Sequence, residues 1–420
     1  MPESEHHKPL DGRRLLVVST NYAPELTGIG PYAAQLAEHW ARSGADTHVL
    51  TGMPHYPAWR TEAAYRGVWR AEEQRSGVTV HRRRHYVPPR QSALRRAAFE
   101  ASVLAHGLVA PPALRPDAVI SQLPSLAGGV IGARLARRHR VPYIPVVQDL
   151  MGAAAAQSGI RGGGRAAALA SRAERYALEA ATLVGVIHES FVPRVTAYGV
   201  DPDRIRLVPN WSHVRAPSAD RAATRARLGW PEGTPVVLHS GNMGLKQGLE
   251  VLVDAARLAP EIRIVLMGDG NQRDALAARA SGLPNLDLLP PADADEFTDI
   301  LAAADVLAVT QRASVLDMSV PSKLTSYFVS GRPVIASVAD GGGTAQEVQR
   351  SGAGLLVAPE DPAAVLAAVR KLVEEPAAAA ELGSNGPLYV ARHLSREAGL
   401  ARFDALLTEV LQDAEGRHRR

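Results

Sequence analysis

Short apolar runs alternate with amphipathic ones along almost the whole chain, and the series runs twice. RLLVVST (14–20), THVLT (47–51), VTVHRRR (78–84), DAVISQ (117–122), YIPVVQ (143–148), TLVGVIH (182–188) and RIRLVPN (204–210) read as strands. Helical patterns fall between most of them, the longer at 31–44, 92–109, 126–139, 165–180 and 190–198. In the first helix Pro31 suits the opening turn, Tyr32, Leu36 and Trp40 share one face, and Gly44 suits the end. The stretch 210–234 is polar and turn-rich, after which the alternation restarts at 235–240, 262–268, 285–290, 305–310, 332–338 and 353–359. Strands joined by helices imply parallel sheets covered on both faces. The expected fold class is therefore α/β, two Rossmann-like doubly wound domains in tandem.

A length of 420 residues suits two domains. The expected boundaries are a flexible tail at 1–12, a first domain at 13–210, a linker at 211–234, a second domain at 235–394, and a C-terminal helix and tail at 395–420. Leu400, Phe403, Leu406, Leu407 and Val410 line one face of that helix, which is expected to pack back on the first domain. The polar first dozen residues predict no signal peptide, and no apolar run is long enough to predict a membrane span. The chain has no cysteine, which excludes disulfides and thiolate metal sites.

In open α/β sheets, ligands bind beyond the carboxyl ends of the strands. The loop HSGNMGLKQG (239–248) lies between a strand and a helix and carries Gly241, Gly244, Gly248 and Lys246. Glycines admit an anion close to backbone N–H groups, and a helix start adds a favourable dipole. The alternative is an ordinary turn with a solvated lysine. MGDGNQ (267–272) adds Gly268 and Gly270, and a helix expected from Pro321-Ser322-Lys323 brings a second lysine. In the first half, Gly28 and Gly30 precede a helix, but the next strand ends without the acid a dinucleotide fingerprint requires, which disfavours NAD. Asp293-Ala294-Asp295 reads as helix-cap chemistry rather than a metal motif, and His55, His188 and His239 are read as structural. Six arginines (Arg82, Arg83, Arg84, Arg90, Arg95, Arg96) crowd 81–96 without an acid. They read either as an anion-binding surface or as a solvated basic face; nucleic acid is not expected, because no binding motif accompanies them.

The ordered series NYAPELTGIGPYAAQLAEHWARSG, TGMPHYP, VVQDL, VPNW, SGNMGLKQGLEVLVDAA, GDGNQR and PSKLTSYFVSGRPVIAS resembles the family 4 retaining glycosyltransferases, from about residue 13 to 410. The branch it resembles contains colanic-acid and N-acetylfucosamine transferases of bacterial surface polysaccharides. The resemblance implies a GT-B fold whose domains face a central cleft. It implies metal-independent, retaining transfer of a sugar from a nucleoside-diphosphate-sugar, with no cofactor, to a glycan or polyprenyl-diphosphate-linked acceptor. Lys246 corresponds to the family lysine at the donor diphosphate, while Asn242 stands where an arginine is common. Of the two family glutamates eight positions apart, the second falls on Ser326 and the first on Met318, beside Asp317. Gly28 and Gly30 would lie by the transferred sugar and phosphate, Asp149 near the acceptor, and His55 on the acceptor side. Catalytic roles are thus expected of Lys246, Asp149 and Gly30. Donor binding is expected of Gly28, Gly241, Asn242, Gly244, Gly268, Gly270, Asp317, Pro321, Ser322, Lys323 and Ser326. Family acceptors place the protein in the cytoplasm, and Arg82–Arg96 with the helix 93–110 would dock it on the inner face of the membrane. Alternatives within the fold are a sugar-nucleotide epimerase and a non-catalytic partner subunit.

Overall fold

The computed structural model describes residues 10–418 apart from 26–27, 90–91, 124, 151–162, 213, 294 and 316–322. It contains two compact units, one formed by the described residues up to Asn210 together with those from Leu400, the other by Trp211–Gly399.

The first unit is built on an eight-stranded sheet: β1 (Arg14–Val18), β2 (Asp46–Gly52), β3 (Arg70–Arg75), β4 (Val78–Arg83), β5 (Ala118–Leu123), β6 (Tyr143–Val147), β7 (Val184–Val186) and β8 (Ile205–Leu207), in the order β3-β4-β2-β1-β5-β6-β7-β8. Every pairing is parallel except β3 with β4. The sequence reading missed β3. RAEEQR has no apolar run, because an edge strand needs none; its polar face blunts the edge. Ser76 and Gly77, both at positive φ, form the tight turn that returns the chain to β4.

The second unit carries β9 (Val236–Ser240), β10 (Arg263–Met267), β11 (Leu286–Leu289), β12 (Val306–Thr310), β13 (Val334–Ser337) and β14 (Gly354–Val357), all parallel, in the order β11-β10-β9-β12-β13-β14. Successive strand residues feed opposite cores. Val237, Ile264, Leu266 and Ile335 pack on one face of the sheet, and Val236, Leu238, Val265 and Val334 on the other. This is why the strands read as unbroken apolar runs rather than alternating ones.

Two expectations about the flanking segments change. The tail is shorter than predicted: Leu10 is buried and its carbonyl accepts the Arg13 N–H. The stretch 211–234, read as a linker, belongs to the second unit. Its helix Arg221–Arg227 is tied down by Arg225, whose guanidinium donates to Asp305 and to the carbonyls of Ala303, Pro231 and Thr234. The last helix, Arg396–His418, contributes its buried Leu400, Phe403, Leu406, Leu407, Val410 and Leu411 from Leu400 onward to the first unit. There His39 and Trp40 Nε1 both hydrogen-bond Asp404.

Candidate functional site

The strongest cradle is in the second unit, beyond the carboxyl ends of β9 and β10. Their two glycine loops are stitched together by the backbone: Gly241 N–H donates to Met267 O at 2.9 Å, Met243 N–H to Asp269 O at 2.8 Å, and Gln272 N–H to Met243 O at 2.9 Å. The stitching demands glycine. A Cβ on Gly268 would lie 1.9 Å from the Gly241 carbonyl oxygen, and one on Gly270 only 2.5 Å from Met243 O. Asn242 threads its amide between the loops, its Oδ1 2.7 Å from where a Gly270 Cβ would stand and its Nδ2 2.8 Å from that of Gly244. Asn242 therefore joins the turns mechanically and adds no charge.

The positive charge comes from Lys323. Its Nζ lies 3.6 Å from the position a Cβ on Gly241 would occupy. It donates to His239 Nε2 at 3.3 Å, while His239 Nδ1 donates to Ala308 O at 3.2 Å. Burial, together with the Lys323 charge, holds the His239 imidazole well below its usual pKa, so it is a neutral acceptor beneath the lysine. Lys323 is partly buried and has no carboxylate partner among the described residues, and desolvation pushes its ammonium down to about 8. Tyr327, one turn along the helix Lys323–Val329, accepts Ser240 N–H at 2.7 Å and so fixes that helix to the end of β9. A partly buried cation facing glycine backbone is suited to an anion.

The other donor-side expectations divide. Lys246 is exposed on the turn Leu245–Gln247, while Lys323 is the lysine that lies beside Gly241. Lys246 contributes its carbonyl, which accepts Arg312 N–H at 3.0 Å. Gly244 starts that turn, where Gln247 Oε1 accepts its N–H at 3.1 Å. Ser326 is half-buried, and its hydroxyl makes no hydrogen bond among the described residues. Asp317, Pro321 and Ser322 lie outside the described residues. Tyr327 and Arg312 escaped the sequence reading, and His239, read as structural, supports Lys323. A histidine ending a strand and a tyrosine four residues after a lysine are ordinary locally; only their convergence marks them.

In the first unit, the loops after β1 and β2 form one locked body. Glu25, buried, accepts the N–H groups of His55 at 2.7 Å and Tyr56 at 2.8 Å through Oε1, and Asn21 Nδ2 at 2.9 Å through Oε2. Gly28, at φ +68, fits against the Tyr56 ring, where a Cβ would sit 3.2 Å from Cε1. Gly30 opens the helix Gly30–Arg42, with Pro31 next. His55 is buried beside Glu25, its Nδ1 donating to Met53 O at 3.0 Å, and its ring meets those of His85, Trp59 and Phe99. Burial lowers the His55 pKa, and burial with the neighbouring His55 lowers that of His85 to about 3. His55 is thus an enclosed anchor of its loop. Asp149 stands two strands from β1, at the end of β6, where its Oδ1 accepts Leu150 N–H at 2.8 Å. Beside it Gln148 and Asn210 exchange amide hydrogen bonds of 2.7 and 3.1 Å, joining the VVQDL and VPNW segments. His188 caps a 3-10 turn by accepting Ser190 N–H at 3.1 Å.

Part of the basic segment is spent on structure. Arg82 is fully buried, bonded to Glu73 and to the carbonyls of Gly52 and Ala23; Arg83 donates to Ala110 O; Arg96 packs over Trp59 and Phe99. Arg84, over Trp69, and Arg95 are exposed, and Arg90 lies outside the described residues.

Residues 27–211 match the family model for a glycosyl transferase 4-like domain, and residues 234–375 the model for glycosyl transferases group 1. The chain is 33% identical over 343 residues to the "Putative colanic acid biosynthesis glycosyl transferase WcaI" of Escherichia coli, a match covering 78% of this chain and 84% of that one. It belongs to the family 4 glycosyltransferases. Both units of this glycosyltransferase together have the GT-B fold. Sucrose-phosphate synthase from Thermosynechococcus elongatus superimposes with a TM-score of 0.73 at 20% identity, covering 96% of this chain and 100% of that one. Anabaena HepE, solved in complex with UDP-glucose, gives 0.65 at 18% identity, covering 94% and 99%. Among the described residues no helix of the enzyme is long and apolar enough to cross a membrane.

Proposed function

We propose that this glycosyltransferase moves a hexosyl group, with retention and without a metal, from a nucleoside-diphosphate-sugar to a glycan or polyprenyl-diphosphate-linked acceptor of a bacterial surface polysaccharide. The observation that carries the reading is Lys323: a partly buried ammonium with no carboxylate partner among the described residues, set against the Gly241 backbone and supported by a neutral His239. That arrangement suits the donor diphosphate. The nucleoside-diphosphate chemistry accords with the UDP-glucose bound by HepE, and the polysaccharide context with the name of the Escherichia coli relative.

In this reading the sugar–phosphate bond breaks while the acceptor hydroxyl attacks from the same face. The hydroxyl proton passes to the leaving phosphate oxygen, so no enzymic nucleophile is required. Lys323 stabilises the charge that grows on the nucleoside diphosphate as the bond opens, a role other enzymes give to a bound cation. The Glu25-locked loops of the first unit would present Gly28 and Gly30 to the transferred sugar. The enzyme acts in the cytoplasm, and its helix Ala93–Val109, with Arg84 and Arg95, would dock on the inner face of the membrane.

Calorimetric titration with UDP, GDP, dTDP and ADP in the presence of a chelator tests the donor site. One nucleotide is expected to bind selectively, with Lys323→Ala weakening it at least tenfold and Lys246→Ala much less. Absence of binding to all four would favour a non-catalytic partner subunit instead.

A further inference from the structure

The opposite end of the second unit's sheet carries another charged cavity. A cleft of about 800 Å³ opens at the amino-terminal ends of β9, β12 and β13, lined there by Pro235, Asp305 and Pro333. The donor cradle lies past the carboxyl end of β9, a five-residue strand, so the two sites are separated by roughly 16 Å along it. The volume is that of a small-molecule site.

Three arginines of the lining, Arg221, Arg225 and Arg332, share one buried-side carboxylate, Asp305. Asp305 is already committed: it accepts from Arg221 at 2.5 Å, Arg225 at 3.0 Å and Val236 N–H at 2.8 Å. Arg225 is saturated by that carboxylate and three carbonyls. Arg332 is not. Its Nε donates to Ala302 O at 2.7 Å, and its terminal amino groups have no partner among the described residues. Arg221 keeps a buried Nε without a partner among the described residues. Burial and the nearby charges of Arg221 and Arg225 lower the Arg332 pKa, with Asp305 opposing only in part. The remaining acids of the lining, Asp220 and Glu232, are exposed, and Asp220 is occupied as the cap of the helix Arg221–Arg227, accepting Ala223 N–H at 2.8 Å. The same lining holds apolar groups, Trp230, Leu372, Val373 and Pro376.

We infer that this cleft is a second ligand site, for an organic phosphate whose oxyanion is gripped by Arg332 and Arg221 and whose apolar part rests on the Trp230–Leu372 wall. Unpaired guanidinium donors in a fixed fork suit a phosphate, and an apolar wall adds affinity in proportion to the area it covers. The inference is independent of the donor reading, since it uses none of the same residues.

The test is calorimetry with inorganic phosphate and with phenyl phosphate at constant ionic strength. Both are expected to bind, phenyl phosphate about fivefold or more tightly, from the area its ring buries. Arg332→Gln and Arg221→Gln should each weaken binding by about tenfold, as for loss of one charge-assisted contact, and Lys323→Ala should leave it unchanged. No binding to the wild type, binding as tight as wild type in both arginine variants, or loss in Lys323→Ala would overturn the site; the last would place the ion in the donor cradle. Should the variants fail to fold, phenylglyoxal modification of the wild-type enzyme, read by mass spectrometry, decides the matter. Phosphate is expected to protect Arg221 and Arg332, and no protection would refute the proposal.

Discussion

Lys323 is the residue on which the donor reading turns, and its environment makes a pH-dependent forecast. Its pKa is lowered to about 8, so the ammonium is mostly charged at pH 7 and mostly neutral at pH 9. A diphosphate needs the charged form. Affinity for the preferred nucleotide is therefore expected to fall about tenfold between pH 7 and pH 9, following the charged fraction. Lys323→Arg, which stays protonated, should flatten that dependence; an equally steep profile in the variant would assign the titration elsewhere. Glu25 acts at the same scale in the first unit. Its carboxylate is the sole described acceptor for two N–H groups, those of buried His55 and half-buried Tyr56. Glu25→Ala strands both and should cost about 3 kcal/mol in urea unfolding, whereas Glu25→Gln keeps Oε1 and should cost clearly less. His85 adds an acid limit. Its folded pKa, about 3, lies below the ordinary histidine value, so the unfolded chain binds the proton first. Its contribution to stability is complete above about pH 6.5 and is lost as pH falls from there toward 3. His85→Gln should shrink the acid-induced drop in Tm.

At the scale of elements, the helix Ala93–Val109 is the one whose exterior is unusual. Leu94, Ala97, Ala98, Ala101, Ala105 and Val109 are all exposed and recur at helical spacing, with Leu94 82% and Val109 83% exposed. Exposed Trp69, carrying Arg84 on its ring, lies against His106 of the same helix. An apolar stripe flanked by an aromatic and by arginines is how a helix rests on a membrane surface. The charge is smaller than the six clustered arginines suggested, because Arg82, Arg83 and Arg96 are spent inside the unit. Binding to anionic vesicles should consequently depend more on the stripe than on salt. A Leu94→Glu/Ala98→Glu variant is expected to lose vesicle sedimentation while 0.5 M salt only reduces it in the wild type, and retention by the variant would exclude this face.

For the whole molecule, the C-terminal helix decides how the chain can be cut. Its buried Leu400, Phe403, Leu406, Leu407, Val410 and Leu411 complete the first unit's core, and Arg206 pairs with Glu409 at 2.5 Å. Six buried apolar side chains contribute on the order of 10 kcal/mol, comparable with the entire stability of a domain. Truncation after Gly399 should therefore unfold the first unit while the second keeps a cooperative melting transition, as separate fluorescence and calorimetric transitions would show. Both sheets, their helices and the positions of the glycine loops were legible from the chain alone, because apolar periodicity and glycine placement are local consequences of backbone geometry. The edge strand β3 was not, since RAEEQR has no apolar face to announce it. Nor was the packing of Lys323 beside Gly241, the burial of Arg82 from within the arginine cluster, or the Arg332 cleft. Each depends on which side chains from distant segments meet in a buried place, where desolvation and the presence or lack of a partner set the charge. Sequence by itself determined the periodic framework and the family; tertiary packing alone decided which charged groups are spent on structure and which are left without a partner among the described residues.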